Sequence, residues 1–149
     1  MDLVETLNAS RAEIIEQASQ ALDRSHLPHY ERAGENTGRQ RLQDLFDVVV
    51  TCLERRRLAP ITDYAENVAA ERHGAGYGIG EVQTAFNVLE EAMWHHIVTA
   101  TPPDQLAEPI GLLGTVLGTG KDALACAYVS LATRQHVPSL DLSALFEGT

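Results

Sequence analysis

A chain of 149 residues has room for one domain around a single hydrophobic core. Its 44% apolar and 21% charged residues exclude wholesale disorder, and its 21 acidic against 11 basic residues give a formal charge of −10 that opposes nucleic acid and anionic membranes. Two cysteines, Cys52 and Cys126, are too few for a disulfide scaffold and fit a reducing compartment. No apolar run approaches the roughly 18 residues of a membrane span, and the N-terminus lacks a signal-peptide charge pattern. A cytoplasmic protein is expected.

Residues 2–23 follow a helical period. Leu3, Leu7, Ile14, Ala18, Ala21 and Leu22 share one arc, and Arg11 falls inside it, where it either snorkels or meets a carboxylate across an interface. The segment from Ser25 to Gly38 breaks the period and reads as a loop. A second helix over 39–57 packs through Leu42, Leu45, Phe46, Val49 and Leu53, with Arg55, Arg56 and Arg57 in its last turn. Pro60 opens a third, which carries Ile61, Tyr64, Ala65 and Val68. The glycines of Gly74-Ala75-Gly76-Tyr77-Gly78 must end it.

The fourth helix runs from Ile79 to Thr99 with an apolar arc of Ile79, Val82, Phe86, Leu89, Met93, His96 and Ile97, and Pro102-Pro103 stops it. The fifth starts near Asp104 as N-cap and reaches about Arg134, with Leu106, Ile110, Leu113, Leu117, Gly120, Leu124, Ala127 and Leu131 as its core stripe. Residues 1–137 thus form one all-α domain of about five helices. Residues 138–149 read as a tail or the start of a linker.

Motifs for chemistry are missing. Gly114–Lys121 looks like a phosphate loop, but the first glycine of that pattern falls at Thr115 and the magnesium hydroxyl at Asp122. His95 and His96 point about 100° apart on a helix and cannot share one ion. Neither a metal site nor a catalytic constellation follows, so no enzyme and no cofactor are expected. On the fifth helix, Ala107, Gly111, Gly114, Gly118, Ala125 and Ala132 form a second strip of small residues, which suits close approach of another backbone. Glycine in a helix costs up to about 1 kcal/mol relative to alanine, so a packing gain should offset it.

The run Arg72-His73-Gly74-Ala75-Gly76-Tyr77-Gly78-Ile79-Gly80-Glu81-Val82 resembles the hinge "R-x-x-x-G-aromatic-x-hydrophobic-x-E-V" of RsbR/RsbRD-type N-terminal domains, the sensor modules of stressosome co-antagonists. Here it carries extra glycines at Gly78 and Gly80. Ala85-Phe86 and Leu89-Glu90-Glu91-Ala92-Met93-Trp94 look like that family's fourth helix, and Leu27-Pro28-His29-Tyr30 stands in the matching place upstream. The resemblance spans roughly residues 3–134. It implies a non-haem globin-like fold, a dimer, and a signal-input role in a bacterial stress pathway exercised through an unidentified signalling partner. The family's STAS domain with its phosphorylated Ser/Thr sites has no counterpart in these residues, which fits a stand-alone member or an excised domain. The alternative is a haem- or small-ligand-binding globin-like sensor using His96 or His73. A metal-dependent helical-bundle enzyme is the third reading.

Three structural expectations follow. At least one of Gly74, Gly76, Gly78 and Gly80 takes a positive φ in the hinge. Any ligand pocket lies beside the fourth helix among Tyr77, Phe86, Met93, Trp94 and His96, unless these residues simply fill the core. A homodimer uses Leu3, Leu7, Arg11 and Ile14 of the first helix and Gly111, Gly114 and Gly118 of the fifth, with Arg11 reaching Asp2 or Glu13 of the partner subunit.

Overall fold

The computed structural model describes residues 2–133 and 138–147, so the expected helix end at Arg134 and domain boundary at 137 fall outside it. All regular structure among the described residues is helical, as expected, but it comes in eight helices rather than five. None is long and apolar enough to cross a membrane.

The first expected helix is two. Helix α1 (Leu3–Ala9) starts at Asp2, whose carboxylate accepts from Glu5 N at 2.8 Å while Glu5 Oε2 accepts from Asp2 N. The chain turns at Ser10 and α2 (Arg11–Arg24) follows. Both helices bury the same arc, Leu7 on one and Ile14, Ala18 and Leu22 on the other, so periodicity alone hides the break. Helix α3 (Pro28–Ala33) occupies the expected loop, with proline in its first turn and Tyr30 buried; Gly34, at φ 95°, separates it from α4 (Glu35–Arg55).

Arg56 ends α4 in a left-handed conformation, and α5 (Ala59–Gly74) begins at the expected proline. After α6 (Ile79–Ala100), Asp104 sits in a single 3₁₀ turn, Pro103–Gln105. It is not the N-cap of α7 (Ala107–Thr133); the first intrahelical bond there, from Ile110 N, is accepted by Leu106 O. Helix α8 (Ser143–Glu147) lies in the stretch read as a tail. Its Phe146 is only 2% exposed and belongs to the core.

Helix α6 is the middle of the molecule, with α2 packed on one side and α7 on the other, and α5 runs along α7. Close approach occurs at Gly120: a Cβ there would stand 2.8 Å from Ile61 Cγ1 and 3.1 Å from Phe86 Cε2. The small-residue strip makes no close contact within the subunit. Nothing lies within 4 Å of a Cβ built on Gly111, Gly114 or Gly118, because this face of α7 is turned away from the core. The lysine of the false phosphate loop, Lys121, instead binds Glu90 Oε1 at 2.5 Å and Asn87 Oδ1 at 2.9 Å across the α6–α7 seam. Cys52 lies in the core, and burial pushes its thiol up to about 11.

Candidate functional site

The hinge between α5 and α6 gathers side chains from five helices around Tyr77. Its backbone is a Schellman turn: Gly76 N donates to His73 O at 3.1 Å and Tyr77 N to Arg72 O at 2.9 Å. This turn needs a left-handed residue, and Gly76 supplies it at φ 88°, which meets the expectation of a positive φ. Gly74 ends α5, Gly78 is extended and Gly80 lies inside α6.

The turn drives Tyr77 inward, where it is 7% exposed. Its hydroxyl accepts from Arg41 Nη1 at 2.6 Å and donates to His29 O at 3.4 Å. Its ring lies 4.8 Å from the His29 ring and meets Tyr30 edge-on at 5.3 Å. Two guanidinium groups stand against it, Arg41 at 5.2 Å and Arg72 at 6.0 Å from the ring centre. From α7, Tyr128 donates its hydroxyl to Tyr77 O at 3.1 Å. Arg72 is 5% exposed and pairs with the outward-facing Glu71 carboxylate.

Glu81 fixes the start of α6. It accepts from Gly78 N at 3.0 Å and from His29 N at 3.2 Å, and the imidazole Nδ1 of His29 lies 2.7 Å from Oε2. That Nδ1 contact is close but makes no aligned hydrogen bond. Burial alone would raise the Glu81 carboxyl; the two N–H donors and then His29 outweigh it and hold the carboxyl below its usual range. A carboxyl depressed in the folded state adds stability above the unfolded pKa of about 4.3 and loses that share as pH falls through the folded value. The stability gap between the wild type and Glu81→Gln should therefore be widest near neutral pH and close as pH falls below the unfolded value. Denaturant titrations at several pH values check this; a gap that stays constant removes the charge from the account.

Burial lifts the phenols of Tyr30 and Tyr128 above their ordinary value, against the pull of Arg72, so both remain neutral hydroxyls. Neutral phenols, paired arginines and a capped helix start do one thing well. They hold one backbone geometry between two helices through bonds that a small displacement can break.

The residues expected to line a pocket do not converge. Phe86 and Met93 are buried in the core, and Tyr77 belongs to the hinge cluster. Trp94 is 46% exposed and lines an open cleft of about 330 Å³ with Gln17, Gln20, Ala21 and Arg24 of α2. His96 Nδ1 lies 3.9 Å from Glu13 Oε2 on the α2 side, while His73 meets Tyr128 edge-on at 5.5 Å. Turning 100° per residue, one helix cannot aim all of these at one cavity.

The interface residues of the first helix need a similar correction. Leu7 and Ile14 are wholly inside the monomer, and Leu3 packs against its core. Arg11 reaches Asp47 of its own chain at 3.1 Å, so it needs no carboxylate from a partner subunit. Gly111, Gly114 and Gly118 remain open.

Sequence reasoning singled out the hinge glycines, Tyr77, and Arg72 as the leading residue of the hinge motif, but not Arg41 or Tyr128 as members of one site, and it did not foresee the burial of Arg72. For Arg72 the signal was present. It follows Ile61, Ala65 and Val68 at helical spacing, so a charge stands on the apolar arc of α5.

Comparison with known proteins places this geometry. The family model described as "RsbT co-antagonist protein rsbRD N-terminal domain" matches residues 6–137. No curated protein and no solved structure matches the chain.

Proposed function

The chain belongs to the family of RsbT co-antagonist protein rsbRD N-terminal domains, and on that premise we propose that it is a non-enzymatic signal-input domain of a bacterial stress-signalling assembly. It acts in the cytoplasm, as a homodimer and through a signalling protein partner. The observation that carries this reading is the open face of α7, where Gly111, Gly114, Gly118, Ala125 and the 47%-exposed Val129 form one strip of small and apolar residues. Bare glycines let two helix axes come to the short end of the 8–10 Å packing range. The hinge cluster supports the input half of the reading, since it ties α3, α4 and α7 to the α5–α6 junction.

Light scattering at micromolar concentration should give twice the chain mass, which corresponds to about −8 kcal/mol or better. Gly114→Leu should lower the dimer fraction at least tenfold in Kd while leaving the melting of the monomer intact, because the new side chain meets no atom of its own subunit. A monomer at all concentrations rejects the dimer.

A further inference from the structure

The segment 138–147 runs back along α7 beside the open strip. Pro138 O lies 3.6 Å from Cys126 Sγ, and Leu140 N donates to Asp122 Oδ2 at 2.9 Å. Further along, Leu145 and Phe146 form a cleft of about 260 Å³ with Ala107, Gly111, Leu112 and Thr115. Glu147 closes the run on Arg57 Nη1, at 2.6 Å, beyond the end of α4. The direction is antiparallel to α7, from its last third to its first turn.

We propose that residues 138–147 are a releasable strap that gates contact between two copies of this chain through α7. The inference rests on the dimer reading above. Its first ground is steric. At about 100° per residue, Asp122, Thr115 and Cys126 lie only about 20–60° round the helix from Gly111. A second helix packed 8–10 Å away on the glycines needs that flank for its own side chains. Strap and partner helix cannot both occupy it.

The second ground is how lightly the strap is held. Phe146 enters the core and the half-buried Leu142 packs against it, while Leu140 and Leu145 each stay 66% exposed. Helix α8 has five residues, too few to stand without its dock. The Arg57–Glu147 pair is exposed, and such pairs are weak. A segment anchored by two side chains one helical turn apart and a few surface contacts detaches without unfolding the bundle.

Cys126 reports the strap, since its thiol lies against Pro138 O at 3.6 Å, while Cys52 stays in the core. Alkylation by iodoacetamide and light scattering should be run on the full chain and on Glu147→Lys, Phe146→Ala and the charge swap Arg57→Glu with Glu147→Lys. Both single variants should speed Cys126 alkylation and tighten self-association, several-fold for Glu147→Lys and about tenfold or more for Phe146→Ala. The charge swap should restore both values. Glu147→Lys changes only surface groups, so it decides the matter if Phe146→Ala fails to fold. Unchanged alkylation shows a fixed strap and overturns the proposal. Faster alkylation with weaker association overturns it too, by making the strap part of the interface. If neither the wild type nor any variant associates, the dimer reading fails and the gate falls with it; if the wild type associates and the variants do so equally, the gate alone fails.

Discussion

Tyr77→Ala should destabilise the protein by about 3–5 kcal/mol, the range for removing a buried aromatic ring. In a chain of this length that lowers the melting temperature by roughly 10 °C. The loss has three parts. The ring leaves a gap between His29 and Tyr30, both of which pack on it. Arg41 loses the hydroxyl that accepts its hydrogen bond at 2.6 Å, and two guanidinium groups lose the aromatic face between them. The Schellman turn keeps Gly76 but loses the contact of its following residue with Arg72, which normally accompanies that motif. Tyr77→Phe isolates the hydroxyl and should cost about 1.5–3 kcal/mol, as expected for a hydrogen bond to a charged group. Denaturant unfolding of both variants measures the difference. Equal losses would assign everything to the hydroxyl and nothing to the ring.

Gly120→Leu should cost at least about 3 kcal/mol, at the upper end of overpacking effects. Even a methyl group at this position would press on Ile61 Cγ1 and Phe86 Cε2, and neither atom is the free end of a flexible chain. The comparison is Gly118→Leu, two residues away, where a Cβ meets open space. That variant should fold at least as well as the wild type, since leucine has the better helix propensity by up to about 1 kcal/mol. Thermal melts at low protein concentration, where association does not contribute, make the test. Similar losses at both positions would mean that the two faces of α7 are equally packed.

These two glycines show where the sequence could and could not be read. Spacing alone places Gly120 on the leucine stripe and Gly118 on the small strip, and that assignment holds. It suggests that the strip is the tight face. In the fold the tight contact is on the stripe, because Ile61 of α5 and Phe86 of α6 are both large and meet at that one point. Sequence periodicity gives the angular position of a residue, whereas the size of what faces it comes from other helices. The same limit explains Leu7 and Ile14, whose arc marks a buried face without saying whether the monomer or a partner buries it.

The hinge was more legible, since a positive φ at a helix end is a local requirement that glycine answers. Its surroundings were not, because Arg41, His29 and Tyr128 reach Tyr77 from 36, 48 and 51 residues away and only after packing. Leu142 and Phe146, spaced four apart, carried a faint amphipathic signal for α8 within the presumed tail.

The half-exposed indole of Trp94 has a practical consequence. It is the single tryptophan of the chain, and it looks out over the seam between α2 and α6 rather than over α7. The intrinsic fluorescence of this protein is therefore a site-specific dye for one side of the molecule. On the dimer reading its emission should stay that of a wet indole when two copies join through α7, and shift to the blue when something covers the α2 side. A partner that quenches or shifts this band has docked away from the glycine face of α7, and a single cuvette can tell the two events apart.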